Sequence, residues 1–399
     1  ILNTLNIKIV IFNLINFFFK FFLKKNSPII TSTYLPKYSE LNLKIKKSSI
    51  FFWKHFYIFK NFQLTNLFSK KYVDKRNKFF FTNKNDKLKS IIFDLVDDFF
   101  PSFYYENFKD VKKYVSKNLI LNKPSFIFTS NEFLFNEFFK FHLVHFLQYK
   151  KTKYYVGQHG SKYGSTLEQE RTIEEETADK FITWGWKNYK NNIPFGVLNT
   201  SEKKFYNEDK QITKMIIVNE NFPDLNTIYD TSQKYHDSFN RTLKFIKGID
   251  RKFYKNITFR IHHEDFQHQK FFINKIKKIN KEIKIDLGKK NIFDLLDSNT
   301  LVVFTYYSSG FLELLSLNKK SFLLFDLDKR IYMKKFFKKF IKLKNKLIFD
   351  NPIELSILAN RMIKDTINYQ LINSDKDIID FKKEYAKYVP SIKTLNKIL

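Results

Sequence analysis

Four of the chain's eight glycines, Gly157, Gly160, Gly164 and Gly185, fall between residues 154 and 186, with two of its three tryptophans, Trp184 and Trp186. In a chain so poor in glycine, such clustering marks backbone that a side chain would obstruct. An apolar run at 154–156 leads into a loop carrying Gln158, His159, Ser161 and Tyr163. An acid-rich segment at 167–178 reads as a helix, and a second strand follows at 181–184. Strand, glycine loop, helix and strand in that order is how α/β proteins hold ligands at the carboxyl ends of their strands.

The same alternation extends along most of the chain. Before the glycine loop, strands are expected at 29–34 and 125–128, with helices at 38–46, 90–99, 104–114 and 131–148. Residues 188–211 lack clear periodicity and contain Pro194 and Gly196, which reads as a linker. Strands then recur at 215–218, 257–261, 283–286, 301–304, 322–325 and 347–349. Helices are expected between and after them, at 230–246, 266–279, 292–297, 309–316, 331–341, 353–367 and 375–388. Alternation of this kind implies parallel sheets with crossover helices. At 399 residues the chain is too long for one ordinary domain. The division expected is an N-terminal segment 1–27, a Rossmann-like acceptor domain 28–205, and a Rossmann-like donor domain 206–399 ending in a helix.

Residues 7–23 are mostly apolar, but Lys8, Asn13, Asn16 and Lys20 interrupt them. A spanning helix needs about 20 predominantly apolar residues, so a helix packed on protein or lying on a membrane surface is expected. The net charge is +31, with 71 Lys and Arg against 40 Asp and Glu. Only seven of the 71 are Arg, the residue suited to bidentate phosphate and base contacts, and the lysines are scattered. Nucleic acid is therefore not expected as a partner; peripheral contact with anionic membrane is compatible with the charge. With no cysteine, disulfides, zinc thiolates and cysteine nucleophiles are excluded. The G-x-S-x-G elbow, the P-loop and the G-x-G-x-x-G fingerprint are absent, which argues against hydrolase, NTPase and dinucleotide oxidoreductase chemistry.

The stretches GQHGSKYG at 157–164, Asp179 closing the acidic segment, and FITWGW at 181–186 resemble a transferase family of bacterial surface-carbohydrate biosynthesis. PSFYYENF at 101–108, FTSNE at 128–132 and YSSGFLE at 307–313 fit the same pattern, so the likeness covers most of residues 28–330. The family usually has a second glycine where this chain has Ser161, and often a histidine in the acidic helix. The resemblance implies a GT-B-like α/β fold, two Rossmann-like domains facing a central cleft. It also implies a glycosyltransferase in the cytoplasm or at the inner face of the membrane. The donor would be a nucleotide-activated sugar, and the acceptor a surface polysaccharide or lipid-linked glycan. No cofactor and no catalytic metal are expected. A teichoic-acid-type polyol-phosphate transferase shares this plan, and a non-catalytic basic protein binding nucleic acid or membrane is the alternative of another class.

Sugar transfer needs a base for the acceptor hydroxyl and donors or cations for the leaving phosphate. His159 is the expected base, with Glu174, Asp179 and Glu168 as rivals. Gln158, Gly160, Ser161 and Tyr163 are expected to orient the acceptor, while Trp184 and Trp186 wall the pocket or fill the core behind it. Ser308, Ser309 and Gly310 open a helix, whose free N–H groups suit a phosphate. Glu313, one turn in, can accept from a ribose or sugar hydroxyl. Arg260, near the end of an apolar strand, is expected to join Ser308 and Ser309 on the phosphate, with His262 nearby. His262, His263, Glu264 and His268 look like a metal set, but adjacent strand residues face opposite sides of a sheet.

Overall fold

A computed structural model describes residues 26–49, 95, 104, 108–117, 123–206, 210–221, 232–263, 265, 267–367 and 369–399. The expectations for residues 7–23 and for a helix at 90–99, and most of the 101–108 motif, lie outside these residues. The chain divides into two compact units. One comprises residues 1–157, 177–180 and 396–399, and the other residues 158–176 and 181–395.

In the first unit, β1 (Ile29–Ile30), β2 (Phe126–Thr129) and β3 (Lys153–Gly157) pair in parallel, with Ile29 opposite Ile127 and Phe126 opposite Lys153. All four residues of β2 are buried, as strands covered on both faces require. Helix α1 (Lys37–Lys46) follows β1, and α2 (Phe108–Lys117) precedes β2. The single helix expected at 131–148 is instead two, α3 (Glu132–Phe135) and α4 (Glu137–Lys150). Asn136 is extended between them, and its side chain accepts from Phe139 N at 3.1 Å, capping α4. Buried Glu132 accepts from Thr31 Oγ1 at 3.3 Å, from Ser32 Oγ, and from Asn136 Nδ2 at 2.8 Å. That carboxylate ties the break to the end of β1.

The acidic segment is likewise interrupted. A 3-10 turn at Leu167–Gln169 and the short helix α5 (Ile173–Thr177) replace one helix, with Arg171 left-handed between them at φ 52°. Strands β4 (Lys180–Thr183) and β5 (Asn192–Pro194) follow, so the stretch read as a linker contributes a strand. The first sheet has the order β1-β2-β3-β4-β5. Residues 181–205 group with the C-terminal half because the end of the chain runs along them. Lys387 N donates to Trp184 O at 3.2 Å, Val197 N to Lys387 O at 2.9 Å, and Glu202 N to Val389 O at 3.1 Å.

The second sheet lies wholly in the second unit. Its strands are β6 (Lys214–Val218), β7 (Ile257–Arg260), β8 (Lys284–Asp286), β9 (Thr300–Phe304), β10 (Ser321–Leu324) and β11 (Ile348–Phe349). All pair in parallel in the order β11-β10-β9-β6-β7-β8. The chain runs outward from β6 through β7 to β8, then returns to lay β9 on the other side of β6. The order reverses between β6 and β9, the place where open α/β sheets bind ligands. Helices α6 (Ser232–Gly248), α7 (Gln269–Ile279), α8 (Ser309–Ser316), α9 (Lys334–Phe340), α10 (Pro352–Ile363) and α12 (Lys376–Tyr385) match expected positions. The short α11 (Tyr369–Asn373) lies between the last two. The helix expected at 292–297 is only a 3-10 turn, Ile292–Leu295. The fold is α/β with two parallel sheets of the Rossmann kind.

Candidate functional site

The pocket grows from the reversal in strand order. Val218 and Phe304, the last residues of β6 and β9, stand opposite each other in the register. Thr305 N donates to Val218 O at 3.1 Å, and Glu220 N donates to Thr305 Oγ1 at 3.0 Å. Beyond these locks the two chains part, and a pocket of about 600 Å³ opens between them. Glu220 and Asn221 line it from the β6 side, and Tyr306 through Gly310 from the β9 side. Lys234 and Tyr235 of α6 add a further wall.

Helix α8 starts at this pocket. Ser308 is extended and its Oγ accepts from Phe311 N at 3.3 Å, which makes it the N-cap. Ser308, Ser309 and Gly310 all line the cavity. Gly310 leaves room for Phe304, since a Cβ there would stand 3.1 Å from that ring.

The opposite wall is the glycine loop, held by the loops after β9 and β10. Ser161 N donates to Ser309 Oγ at 3.0 Å, and Tyr307 Oη donates to Ser161 O at 3.1 Å. Leu167 N donates to Ile331 O at 2.9 Å, Met333 N to Ser165 O at 2.8 Å, and Thr166 bridges Tyr332. His159, Gly160, Ser161 and Tyr163 therefore line the same cavity as α8. Within the loop, geometry requires glycine at Gly164. Its φ is +67°, and a Cβ would enter the indole of Trp186. At Gly160 a Cβ would meet Tyr163 at an ordinary 3.7 Å, so space alone does not demand glycine there.

Gln158, expected to orient the acceptor, belongs instead to the scaffold of the pocket. Gln158 is 1% exposed, and its Oε1 accepts from Trp184 N and Trp186 Nε1, both at 2.8 Å. Its Nε2 donates to Gly160 O at 2.8 Å. With its amide committed in this way, Gln158 shapes the loop and does not meet a substrate. Trp184 and Trp186 are 0% and 1% exposed and fill the core behind it.

Among the expected bases, His159 and Glu168 line the pocket. His159 Nε2 lies 3.3 Å from Tyr163 Oη, and that hydroxyl donates to Glu174 Oε2 at 2.5 Å. His159 Nδ1 is buried, so a ligand reaches it only after a local shift of the ring or its neighbours. Glu174 sits behind Tyr163 and does not line the cavity. Asp179 is removed from consideration by its own partners. It accepts from Lys153 Nζ at 2.8 Å and from Tyr154 N at 2.9 Å, fastening the start of β3. Glu168 lines the pocket, paired with Lys162 at 2.9 Å.

The expected phosphate site loses Arg260. Strand register sets Arg260 directly opposite Asp286, and its Nη1 forms an ion pair with that carboxylate. Nη2 donates to Lys290 O at 2.6 Å, and neither Arg260 nor His262 lines the pocket. His262 instead lies against His263, ring centroids 4.6 Å apart. Glu313 is buried, accepts from Asn199 Nδ2 at 2.9 Å, and is not among the residues that line the cavity. Among the described residues no three His, Asp or Glu side chains come together as a metal site.

Burial, followed by the nearby Glu220 carboxylate, pushes the Tyr306 phenol up to about 12, and burial raises Tyr307 as well. Both remain neutral hydroxyls at physiological pH. Glu220, Asn221, Lys234 and Tyr235 were not singled out from the sequence. Their signal is strand adjacency, since Glu220 and Asn221 become candidates only once β6 is known to lie beside β9.

A parallel α/β unit with a polar pocket at its strand-order reversal belongs to the ligand-binding class of Rossmann-like folds. A match to the LIC12162 family transferases spans residues 4–368, and the chain belongs to that family. It is thus a transferase, as the glycine-loop motifs led one to expect. No curated protein matches the chain. Among solved structures it is similar to MurG of Acinetobacter baumannii, at 7% identity and a TM-score of 0.39, over 73% of this chain and 76% of that one.

Proposed function

We propose that this transferase is a glycosyltransferase of the GT-B type, which moves a sugar from a nucleotide-activated donor to a hydroxyl of a surface-polysaccharide or lipid-linked glycan. The observation that carries the reading is the meeting, at the β6/β9 reversal, of the α8 start with the glycine loop. A donor pyrophosphate would lie at the N–H groups of Ser309 and Gly310, which suit an anion. Lys234 takes the cationic role first given to Arg260, because it lines the cavity. Glu220 and Asn221 are placed to hydrogen-bond hydroxyls of ribose or sugar.

In the transfer, the acceptor oxygen bonds to the anomeric carbon as the bond from that carbon to the phosphate oxygen breaks. The acceptor proton passes to His159, and the leaving charge stays on the nucleotide phosphate, facing the helix start and Lys234. The donor is a substrate, so no cofactor enters the scheme. Replacing His159 by Ala is expected to lower turnover by roughly 10²- to 10⁴-fold, the usual contribution of a positioned base. Donor affinity, read by titration calorimetry, should stay nearly constant. Unchanged turnover, or a loss traced entirely to donor binding, removes His159 from the role.

A further inference from the structure

His159, Tyr163 and Glu174 form a hydrogen-bonded chain from the pocket into the interior. Glu174 is 2% exposed and Tyr163 3% exposed, and the His159 and Tyr163 rings meet edge to face at 5.0 Å. A phenol has one proton to give. Tyr163 gives it to Glu174 Oε2 at 2.5 Å, so toward His159 Nε2, 3.3 Å away, the same oxygen can act only as acceptor.

We propose that Glu174 is a positioning residue which, through Tyr163, holds His159 in the tautomer protonated at Nε2 and leaves Nδ1 as its proton-accepting nitrogen. The direction of the chain decides the outcome. With Glu174 ionised, the protons run from His159 to Tyr163 to Glu174, and the buried carboxylate also favours the imidazolium formed when Nδ1 takes a proton. With Glu174 protonated the order reverses, Tyr163 donates to Nε2, and the opposite tautomer results. A buried carboxylate behind a tyrosine thus does for this histidine what a directly bonded aspartate does in hydrolase triads. The sequence ranked Glu174 as a rival base; its burial makes it a residue that acts through another.

The functional consequence rests on His159 being the proton acceptor of the transferase reading. The tautomer itself is measured without substrate, so the relay can fail while that reading stands, and the reverse. The experiment is long-range ¹H–¹⁵N NMR on the full chain carrying ¹⁵N-histidine, at a pH about two units above the ordinary imidazole value. His159→Gln identifies the signal among the eight histidines. The wild type should show His159 protonated at Nε2, and both Glu174→Ala and Tyr163→Phe should lose that preference. Circular dichroism confirms that each variant is folded; Tyr163→Phe removes a single oxygen and serves alone if Glu174→Ala does not fold. A wild-type His159 protonated at Nδ1 overturns the proposal, as does an Nε2–H tautomer unchanged in the folded variants.

Discussion

Arg260 shows how one side chain can be legible in kind and misread in place. An arginine in a lysine-rich chain, at the end of an apolar strand, is a sound sign of bidentate recognition. Its partner is the carboxylate of Asp286 on the adjacent strand, a pairing that depends on register and so on residues far along the chain. The arginine and aspartate side chains are only 13% and 20% exposed, so removing one leaves the other poorly solvated. Arg260→Ala should therefore cost about 3 kcal/mol of stability and leave donor affinity unchanged. Chemical denaturation and donor titration on the same variant check both halves. A stable variant that no longer binds donor would restore Arg260 to the site. Gln158 carries the same lesson, because its amide looks like a substrate ligand until its partners, Trp184 and Trp186, are known.

At the level of elements, strands and crossover helices of the second unit were legible because each buried parallel strand is a short apolar run and each helix has its own periodicity. Interruptions were not. Asn136 breaks one long apolar pattern with a cap, and Arg171 breaks the acidic segment with a left-handed turn, neither of which alters hydrophobic spacing. The packing of α9 on α12 offers an element-scale test. Glu384 bonds Lys335 at 2.9 Å and Lys339 at 2.5 Å. Burial raises its pKa, but the hydrogen bonds from Lys339 and Lys335 outweigh this and hold it below the ordinary value. A depressed carboxyl stabilises the fold above its unfolded value, near 4.3, and the gain is lost as pH falls through the folded value. Glu384→Gln should be about 1 kcal/mol less stable at neutral pH, with the gap closing once the pH is well below the ordinary carboxyl value. Urea midpoints at the two pH values measure it; a gap that widens in acid contradicts the assignment.

Across the whole molecule, what the sequence withheld was strand order. Two parallel sheets follow from alternation, but the reversal between β6 and β9 depends on which strands become neighbours over long sequence separations. That reversal brings Glu220, Asn221 and Lys234 to the start of α8, and the glycine loop joins the same unit. Among the described residues no helix is long and apolar enough to cross a membrane. The +31 charge also offers a whole-molecule discriminant. Donor binding within a pocket should depend weakly on salt, whereas phosphate-backbone binding by a basic surface falls steeply with it.

The central claim is that the cavity at the β6/β9 reversal takes a nucleotide-activated sugar, and thermal denaturation with and without donor tests it most directly. A ligand that binds only the folded state at about 100 times its Kd adds about 2.7 kcal/mol of stability. At least one UDP-, GDP- or CMP-linked sugar should therefore raise the melting temperature of the wild type. Ser309→Trp, which fills the cavity at the start of α8, should abolish that rise while the unliganded variant still melts cooperatively. A rise that persists in Ser309→Trp, or a wild type whose melting no nucleotide-sugar changes, would contradict the account.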